Sequence, residues 1–283
     1  EKAKIAFLYD TIHNLDIEES IKDFFYVCIS HILKNCSRCL QSGTKPQVDP
    51  NKVIPNPFDE FKRHCQKMIK SNALFYNYLY TNGYIDMPSE IRLKDARQTG
   101  IDSGSIDMII TSPPYVTSYE YADIHQLTAY WMEYVSNLSE FRKQFIGTSY
   151  SGSTSLEVKG SIQAQIIVNA LAEKSNHIAR DVAKYFNDMQ EVANEMARIL
   201  VPEGRACVVI GNTKIKEVQI KSAEVFYEFL KNAGLHEVDI IKRSIPNKLM
   251  PTLRDSKTGQ FTKSDNPNCK KVYPNEYIII MQK

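Results

Sequence analysis

The 283-residue chain lacks the long apolar runs and the cysteine content that mark membrane and secreted proteins. No stretch approaches about 18 consecutive apolar residues and no charged-then-apolar leader opens the chain, so we expect neither a membrane span nor a signal peptide. Six cysteines are too few for a disulfide framework in a chain of this length and suit a reducing compartment. The absences together predict a soluble, cytoplasmic protein.

Periodic patterns divide the chain into two parts. Apolar residues at helical spacing predict helices over 20–40 and 58–80, joined by a proline-rich connector. From residue 90 onward a long helix over 178–199 lies among five strand candidates: EIRLKDA, SIDMIITS, RACVVIGNT, LHEVDIIKRSIP and NEYIIIMQK. We therefore predict a helical region over 1–89 and an α/β region over 90–283 with a mostly parallel sheet.

The second strand candidate ends in an unusual tetrapeptide. Residues 106–111 read as a buried strand, and Ser112, Pro113, Pro114 and Tyr115 follow it. Two successive prolines cannot donate to a sheet ladder, so the strand must end there. Because parallel α/β sheets bind ligands at the carboxyl ends of their strands, the tetrapeptide is a candidate site. A surface turn or an extended proline ligand is the simpler interpretation, which the preceding apolar strand disfavours.

In this position Ser112-Pro113-Pro114-Tyr115 resembles the catalytic motif of the S-adenosylmethionine-dependent DNA amino-methyltransferases, which modify cytosine N4 or adenine N6. Three other segments resemble elements of that family in the same order: EIRLKDA, ARILVPEGRACVVIGN and LHEVDIIKRSIPNK. The resemblance covers roughly residues 90 to 283. It implies a Rossmann-like methyltransferase sheet, S-adenosylmethionine as the cofactor, DNA as the partner and a role in restriction-modification. Serine at position 112 leans, by the same resemblance, towards cytosine N4.

The chemistry of the implied reaction explains the residue types of the motif. An exocyclic base amine is a poor nucleophile because its lone pair is delocalised into the ring. The Ser112 side chain and a proline carbonyl can accept the two amine hydrogens and aim the lone pair at the methyl group, so that positioning supplies most of the catalysis. The Tyr115 ring can stack on a base that has been flipped out of the duplex, which contributes on the order of 1–3 kcal/mol.

Cofactor binding is where the chain departs from the family. The resemblance assigns the adenine side of the cofactor to Asp95, with Ala96 and Thr111 as further candidates, and we predict no metal site. The family's glycine-rich turn of the Phe-x-Gly-x-Gly kind has no counterpart, because none of the eleven glycines forms a G-x-G between a strand and a helix.

The missing turn also affects the predicted sheet. In the family, the two strands that flank the turn lie between the strand that ends at Asp95 and the strand that ends before Ser112, so we predict an incomplete sheet with unpaired edges. A second chain or a preceding N-terminal segment can supply the cofactor half, or the order is permuted and a nonstandard loop binds the cofactor. The first explanation is favoured because unpaired backbone groups in a core are costly.

A net charge of +2 does not by itself indicate nucleic acid, but the basic residues cluster. The loop over 241–272 carries eight Lys or Arg against two Asp. We predict that it contacts DNA phosphates, although a solvated loop explains the charge equally well. The candidate DNA-binding residues are Lys248, Arg254, Lys257, Lys263, Lys270 and Lys271.

Two other functions stay open at this point. Related Pro-Pro-Tyr motifs also act on RNA, so an RNA amino-methyltransferase is one alternative. The missing glycine turn makes a non-catalytic DNA-binding subunit of a modification complex the other.

Overall fold

The computed structural model describes residues 1–40, 46–116, 120–148, 152, 154–244, 253–255, 262, 264–271 and 275–283. Two compact units make up the chain. The first comprises 1–92 and 120–142, and the second comprises 93–119 and 143–283. The first unit thus contains the predicted helical region together with a segment that follows the Ser112–Tyr115 motif in sequence.

The first unit is helical. Its helices are α1 (Lys2–His13), α2 (Glu19–Leu33), α3 (Pro57–Thr81), α4 (Tyr121–Trp131) and all but the last residue of α5 (Leu138–Lys143). The helices predicted over 20–40 and 58–80 are confirmed as α2 and α3, although α2 ends at Leu33. The start of α3 is encoded locally, because the Asn56 side chain accepts from the Phe58 amide and Pro57 occupies the first helical position.

The second unit is mixed α/β, which confirms the predicted fold class. Its helices are α6 (Ile162–Ala172), α7 (Asn176–Ile199) and α8 (Ser222–Asn232). Its strands are β1 (Ile106–Thr111), β2 (Leu200–Ile210), β3 (Thr213–Ile215), β4 (Val218–Ile220), β5 (His236–Ser244), β6 (Leu253–Asp255), β7 (Cys269–Lys271) and β8 (Asn275–Gln282). Among the described residues, no helix of either unit is long and apolar enough to cross a membrane.

The main sheet has the strand order β1-β2-β8-β5. The prediction of a mostly parallel sheet is wrong: β1 and β2 are parallel, whereas β8 is antiparallel to both β2 and β5. Strands β1, β2 and β5 still point the same way, and only β8 is reversed. The physical reason is that a parallel neighbour needs a crossover connection, whereas an antiparallel strand can return without one.

The predicted strand EIRLKDA is also absent. Residues 90–96 form no strand in the structure, and the pairing in this segment is an isolated bridge between Asp95 and Gln98. Ile91 and Leu93 are fully exposed. A strand is stabilised by its neighbours, and this segment has none within the described chain.

Helix α7 is the centre of the second unit's core. Its fully buried side chains include Tyr185, Phe186 and Met189, and they pack with residues of α6, α8 and the main sheet. At one end of that sheet β1 is an edge strand, with Met108 and Ile110 exposed at 57% and 72%. One margin of the sheet is therefore apolar and open within the described chain.

Candidate active site

The Ser112–Tyr115 motif directly follows the carboxyl end of β1. Strand register brings three other strand ends to the same edge of the sheet: Thr111 pairs with Val208 near the end of β2, and the last residue of β5 pairs with the first residue of β8. The prediction that the motif lies where parallel strands end is therefore met by the geometry. Ser112 is exposed at this edge, Pro113 is buried and Tyr115 is half-buried.

The Tyr115 ring lies against a glycine. Gly211 immediately follows β2, and a Cβ added there would be 3.0 Å from Cε2 and 3.3 Å from Cζ of Tyr115. Ordinary carbon contacts are about 3.5–4.0 Å, so a side chain at this position would displace the ring. Glycine at position 211 therefore leaves the space that the Tyr115 ring occupies, and a larger residue there would move the ring.

A buried carboxylate faces the Tyr115 hydroxyl. Glu276, near the start of β8, is 8% exposed, and its Oε2 lies 3.5 Å from the Tyr115 hydroxyl. Its other oxygen accepts from Nε of Arg243, which is its cross-strand partner on β5. The carboxylate is thereby tied to β5 while it faces the motif, so it can orient the tyrosine.

A second tyrosine holds the motif from the opposite element. The hydroxyl of Tyr185, on α7, donates to the carbonyl of Pro114 over 2.9 Å. Gly147 packs beside the Tyr185 ring and the following carbonyl of the motif, because a Cβ there would be 3.3 Å from Cδ2 of Tyr185 and 3.9 Å from the Tyr115 carbonyl oxygen. Its φ of +81° is in the left-handed region that favours glycine. The direction of the Pro114 carbonyl is consequently fixed by α7.

Asp95, the predicted cofactor residue, is attached to the same helix. Arg97 donates to Asp95 and to Asp188 of α7, each over 2.7 Å, and Lys184 also contacts Asp188. The Arg97 hydrogen bonds lower the pKa of Asp95, and the same bonds raise the pKa of Arg97. Asp95 is therefore a held anion whose side chain remains 46% exposed.

A second clamp follows about two turns further along α7. The carboxylate of Glu195 accepts from both the amide and the hydroxyl of Thr99, at 2.8 and 2.6 Å. Arg198 donates to both oxygens of Glu195, and its hydrogen bonds lead the effects that lower the pKa of Glu195 to about 2. Residues 95–99 are thus anchored to α7 by side chains rather than by a strand ladder.

The remaining predicted site residues are dispersed. Ala96 is exposed beside Asp95, and Thr111 is half-buried at the end of β1. Of the basic candidates, Lys248, Lys257 and Lys263 lie outside the described residues. The other three lie on the hairpin formed by β6 and β7, in which Arg254 pairs with Lys270 and Lys271 is its neighbour. Their contact with DNA stays a prediction.

Three residues of this site were missed by sequence reasoning. Tyr185 lies on the buried face of its helix, and its hydroxyl carries no separate signal in the periodicity. Gly211 follows a strand as many glycines do. Glu276 had a detectable signal, because it is a lone acid beside the apolar run of β8.

Comparison with known proteins identifies the class of this site. A family model described as DNA methylase, of the N6/N4 methyltransferase type, matches residues 106–283, which is more than half of the chain. The match begins at β1 and includes the motif, β2, β5 and β8. The chain belongs to this DNA methylase family.

Individual relatives are more distant. The Type II methyltransferase M.MvaI of Kocuria varians is 24% identical over 266 residues, which cover 87% of this chain and 58% of the relative. The chain thus spans less than two thirds of the length of that curated relative. Solved structures of a protein assigned as a DNA modification methylase of Thermus thermophilus are 16% identical and align with TM-scores of 0.32–0.33. The alignments cover 67–68% of this chain and 50–52% of that one.

Proposed function

We propose that this chain is the motif-bearing part of a DNA methyltransferase that transfers a methyl group to the exocyclic amine of a flipped base. One observation carries the proposal. The Ser112–Tyr115 motif of a DNA methylase family member lies at the strand edge, with its aromatic ring seated on Gly211 and its hydroxyl facing a buried carboxylate. A surface turn would not need such support from three separate elements.

The residues of the motif have distinct tasks in this proposal. The exposed Ser112 hydroxyl and a proline carbonyl accept the hydrogens of the target amine, and the Tyr115 ring stacks on the base. Tyr185 keeps the second proline's carbonyl in one direction, so the acceptors need not reorganise during the reaction. These groups bind and orient the amine, and its surplus proton leaves to solvent after transfer.

S-adenosylmethionine, implied by the family resemblance, would supply the methyl group from its sulfonium. The described residues fit one side of this cofactor. Asp95 offers an exposed carboxylate that Arg97 holds in place, with Ala96 and Thr111 as further contacts. The described chain offers no glycine-rich turn for the methionine end.

We further propose that the cofactor half lies on a second chain or a preceding segment, with 1–89 as a helical region and 90–283 as the catalytic region. Two observations support this. The β1 edge is open and apolar, and M.MvaI is considerably longer than the part that this chain matches. A missing pair of strands would account for the open edge, and the unmatched part of M.MvaI is long enough to contain such strands.

Cytosine N4 is our preferred target, and the preference rests on serine at position 112 through the family resemblance. A non-catalytic DNA-binding subunit is the second candidate, favoured by the missing glycine turn. An RNA amino-methyltransferase is the third, and nothing in the described residues favours it over DNA.

Transfer of radiolabelled methyl from S-adenosylmethionine to duplex DNA and to tRNA, with and without the cofactor half, separates these candidates. We expect labelled N4-methylcytosine in DNA only when the cofactor half is present. Tyr115→Ala should abolish that label and leave the melting temperature nearly unchanged, because a half-buried site residue contributes little to the core. Label in tRNA alone, or full activity of Tyr115→Ala, would refute the assignment.

A further inference from the structure

We propose that the carboxyl-terminal half of α3 and the segment after it form the docking surface for the cofactor half of the enzyme. The inference rests on the proposed function, because that function is what requires a separate cofactor half. The surface comprises residues 69–92 and is called the α3 surface below. It lies entirely within the first unit.

Helix α3 has two dissimilar halves. Its first half packs in the first unit, where His64 and Cys65 are buried and the Met68 sulfur lies 3.3 Å from Sγ of Cys28 on α2. In its second half all residues from 69 to the end of the helix are exposed except Leu79, which is half-buried. The helix therefore leaves the bundle and continues for about three turns without packing.

The exposed half has the composition of a buried helix. Leu74, Phe75 and Tyr78 are exposed at 63%, 61% and 57%, and at three- and four-residue spacing they form one face. Tyr76 and Tyr80 stack on another face, with ring centroids 6.3 Å apart. A helix that is apolar on several sides belongs in the interior of a folded assembly. A contiguous exposed patch of this kind marks an interaction site.

The segment after the helix continues the surface. Residues 82–92 are exposed without exception, and they include Tyr84 at 48%, Met87 at 65% and Ile91 at 101%. This segment leads in sequence directly to Asp95, the residue proposed to meet the cofactor. A partner that covered the α3 surface would therefore contact the chain immediately before its cofactor residue.

Charge argues for a protein partner and against nucleic acid. Residues 71–85 contain no Asp, Glu, Lys or Arg. DNA binding depends on cations that neutralise phosphates, and this stretch provides none. The rest of the α3 surface carries Lys70 and Arg92 against Asp86 and Glu90, so the whole surface has no net charge. A surface that is centrally uncharged and rich in aromatic residues is typical of the core of a stable protein interface. The match covers 58% of M.MvaI, so 42% of that protein lies outside it. Because this part is long enough to contain a cofactor half, we favour the cofactor half as the occupant over a second copy of the chain.

Hydrogen exchange provides the first test. The native protein, purified from the source organism with an antibody against the 283-residue chain and assayed for methyl transfer, is compared with the isolated 283-residue chain. We expect amides in 69–92 to exchange at least tenfold more slowly in the native enzyme, while those in 57–68 change little because α1 and α2 already cover them.

The other outcomes are equally informative. Unchanged exchange in 69–92 of an active native enzyme would overturn the docking surface and leave the proposed function standing. Protection with methyl transfer to neither DNA nor RNA would support docking and remove the function. Protection that rises with the concentration of the isolated chain would assign the surface to a second copy, and protection only after duplex DNA is added would assign it to DNA.

Paired variants provide the second test. Phe75→Ser combined with Tyr78→Ser should leave the melting temperature of the isolated chain unchanged, because both side chains are exposed. The double variant should nevertheless lower, at least tenfold, the amount of the cofactor half that is purified together with the chain. Val53→Ser is the matched control, since Val53 is 90% exposed in the same unit and outside the α3 surface. Equal recovery of the double variant and the control would contradict the proposal.

Discussion

Gly211→Ala tests the seat of the Tyr115 ring most directly. The new Cβ would lie 3.0, 3.3 and 3.4 Å from Cε2, Cζ and the hydroxyl oxygen of Tyr115. Since carbon contacts are optimal at about 3.5–4.0 Å, the ring must withdraw by a few tenths of an ångström. A displacement of about 1 Å in a group that positions a reactant can reduce the rate about 100-fold. For the smaller displacement we therefore expect a loss of about 3- to 10-fold in kcat/KM.

The fold should tolerate this change. Gly211 does not have a left-handed φ, so alanine adds no backbone strain. Overpacking costs about 1–3 kcal/mol, and the loss of glycine's freedom in the unfolded chain offsets about 0.4–1 kcal/mol of it. The free energy of unfolding should consequently fall by no more than about 2.6 kcal/mol, as measured by denaturant titration.

The assay is radiolabelled methyl transfer to duplex DNA by the complete methyltransferase. The informative control is the same substitution in a Tyr115→Ala background, where no ring remains to be displaced. Because that background is expected to lack methyl transfer, the quantity compared is the free energy of unfolding, which Gly211→Ala should leave unchanged there. Wild-type kcat/KM in the single variant, or an undiminished loss of unfolding free energy in the control background, would refute the idea that Gly211 acts by seating the ring.

Three further predictions follow from the site and its supports. If Glu276 acts through the Tyr115 hydroxyl, Glu276→Gln and Tyr115→Phe should each raise KM for DNA. The double variant should then have a KM no higher than that of the more damaging single variant, and additive increases in KM would show that the two residues act independently. If the basic loop contacts phosphates, alanine at Lys257, Lys263, Lys270 and Lys271 should flatten the salt dependence of DNA binding. The slope should change by about 0.9 for each phosphate that is no longer neutralised, and an unchanged slope would place the loop in solvent. Glu195→Gln should cost about 1.5–3 kcal/mol of unfolding free energy at pH 7, the range for hydrogen bonds to charged groups. Because the folded pKa of Glu195 is depressed to about 2, its stabilisation is present above the unfolded value of about 4.3 and is lost as the pH falls towards 2. The two proteins should therefore converge in urea titrations at pH 2, and a constant difference would contradict the assignment.

The position of the motif could be predicted from sequence because its determinants are local. An apolar run ended by two prolines defines both the strand and its end, and the α/β pattern defines which edge of the sheet that end occupies. The direction of β8 could not be predicted in the same way. NEYIIIMQK reads as a strand in either direction, and its orientation depends on the connection from β5, which contains no periodic pattern.

The EIRLKDA prediction failed for a different reason. Alternation of Ile91 and Leu93 with charged residues is a valid strand signal, but a ladder also needs a neighbouring strand. The alternation predicts that Ile91 and Leu93 are buried, but both side chains are fully exposed because no described residue covers them. The α3 surface shows the same conflict on a larger scale, since its composition indicates burial and its environment is solvent.

Side-chain contacts with α7 hold the candidate site in place although the predicted EIRLKDA strand is absent. Tyr185, Asp188 and Glu195 project from one side of the helix, and they hold the Pro114 carbonyl, Arg97 and Thr99 in turn. The helix is buried along most of its length, so these three anchors move together with the core. The motif and the carboxylate of Asp95, which we propose to meet the cofactor, are thus positioned relative to each other by one rigid element. If the cofactor half lies elsewhere, as proposed, a site built in this way is arranged before that half is added.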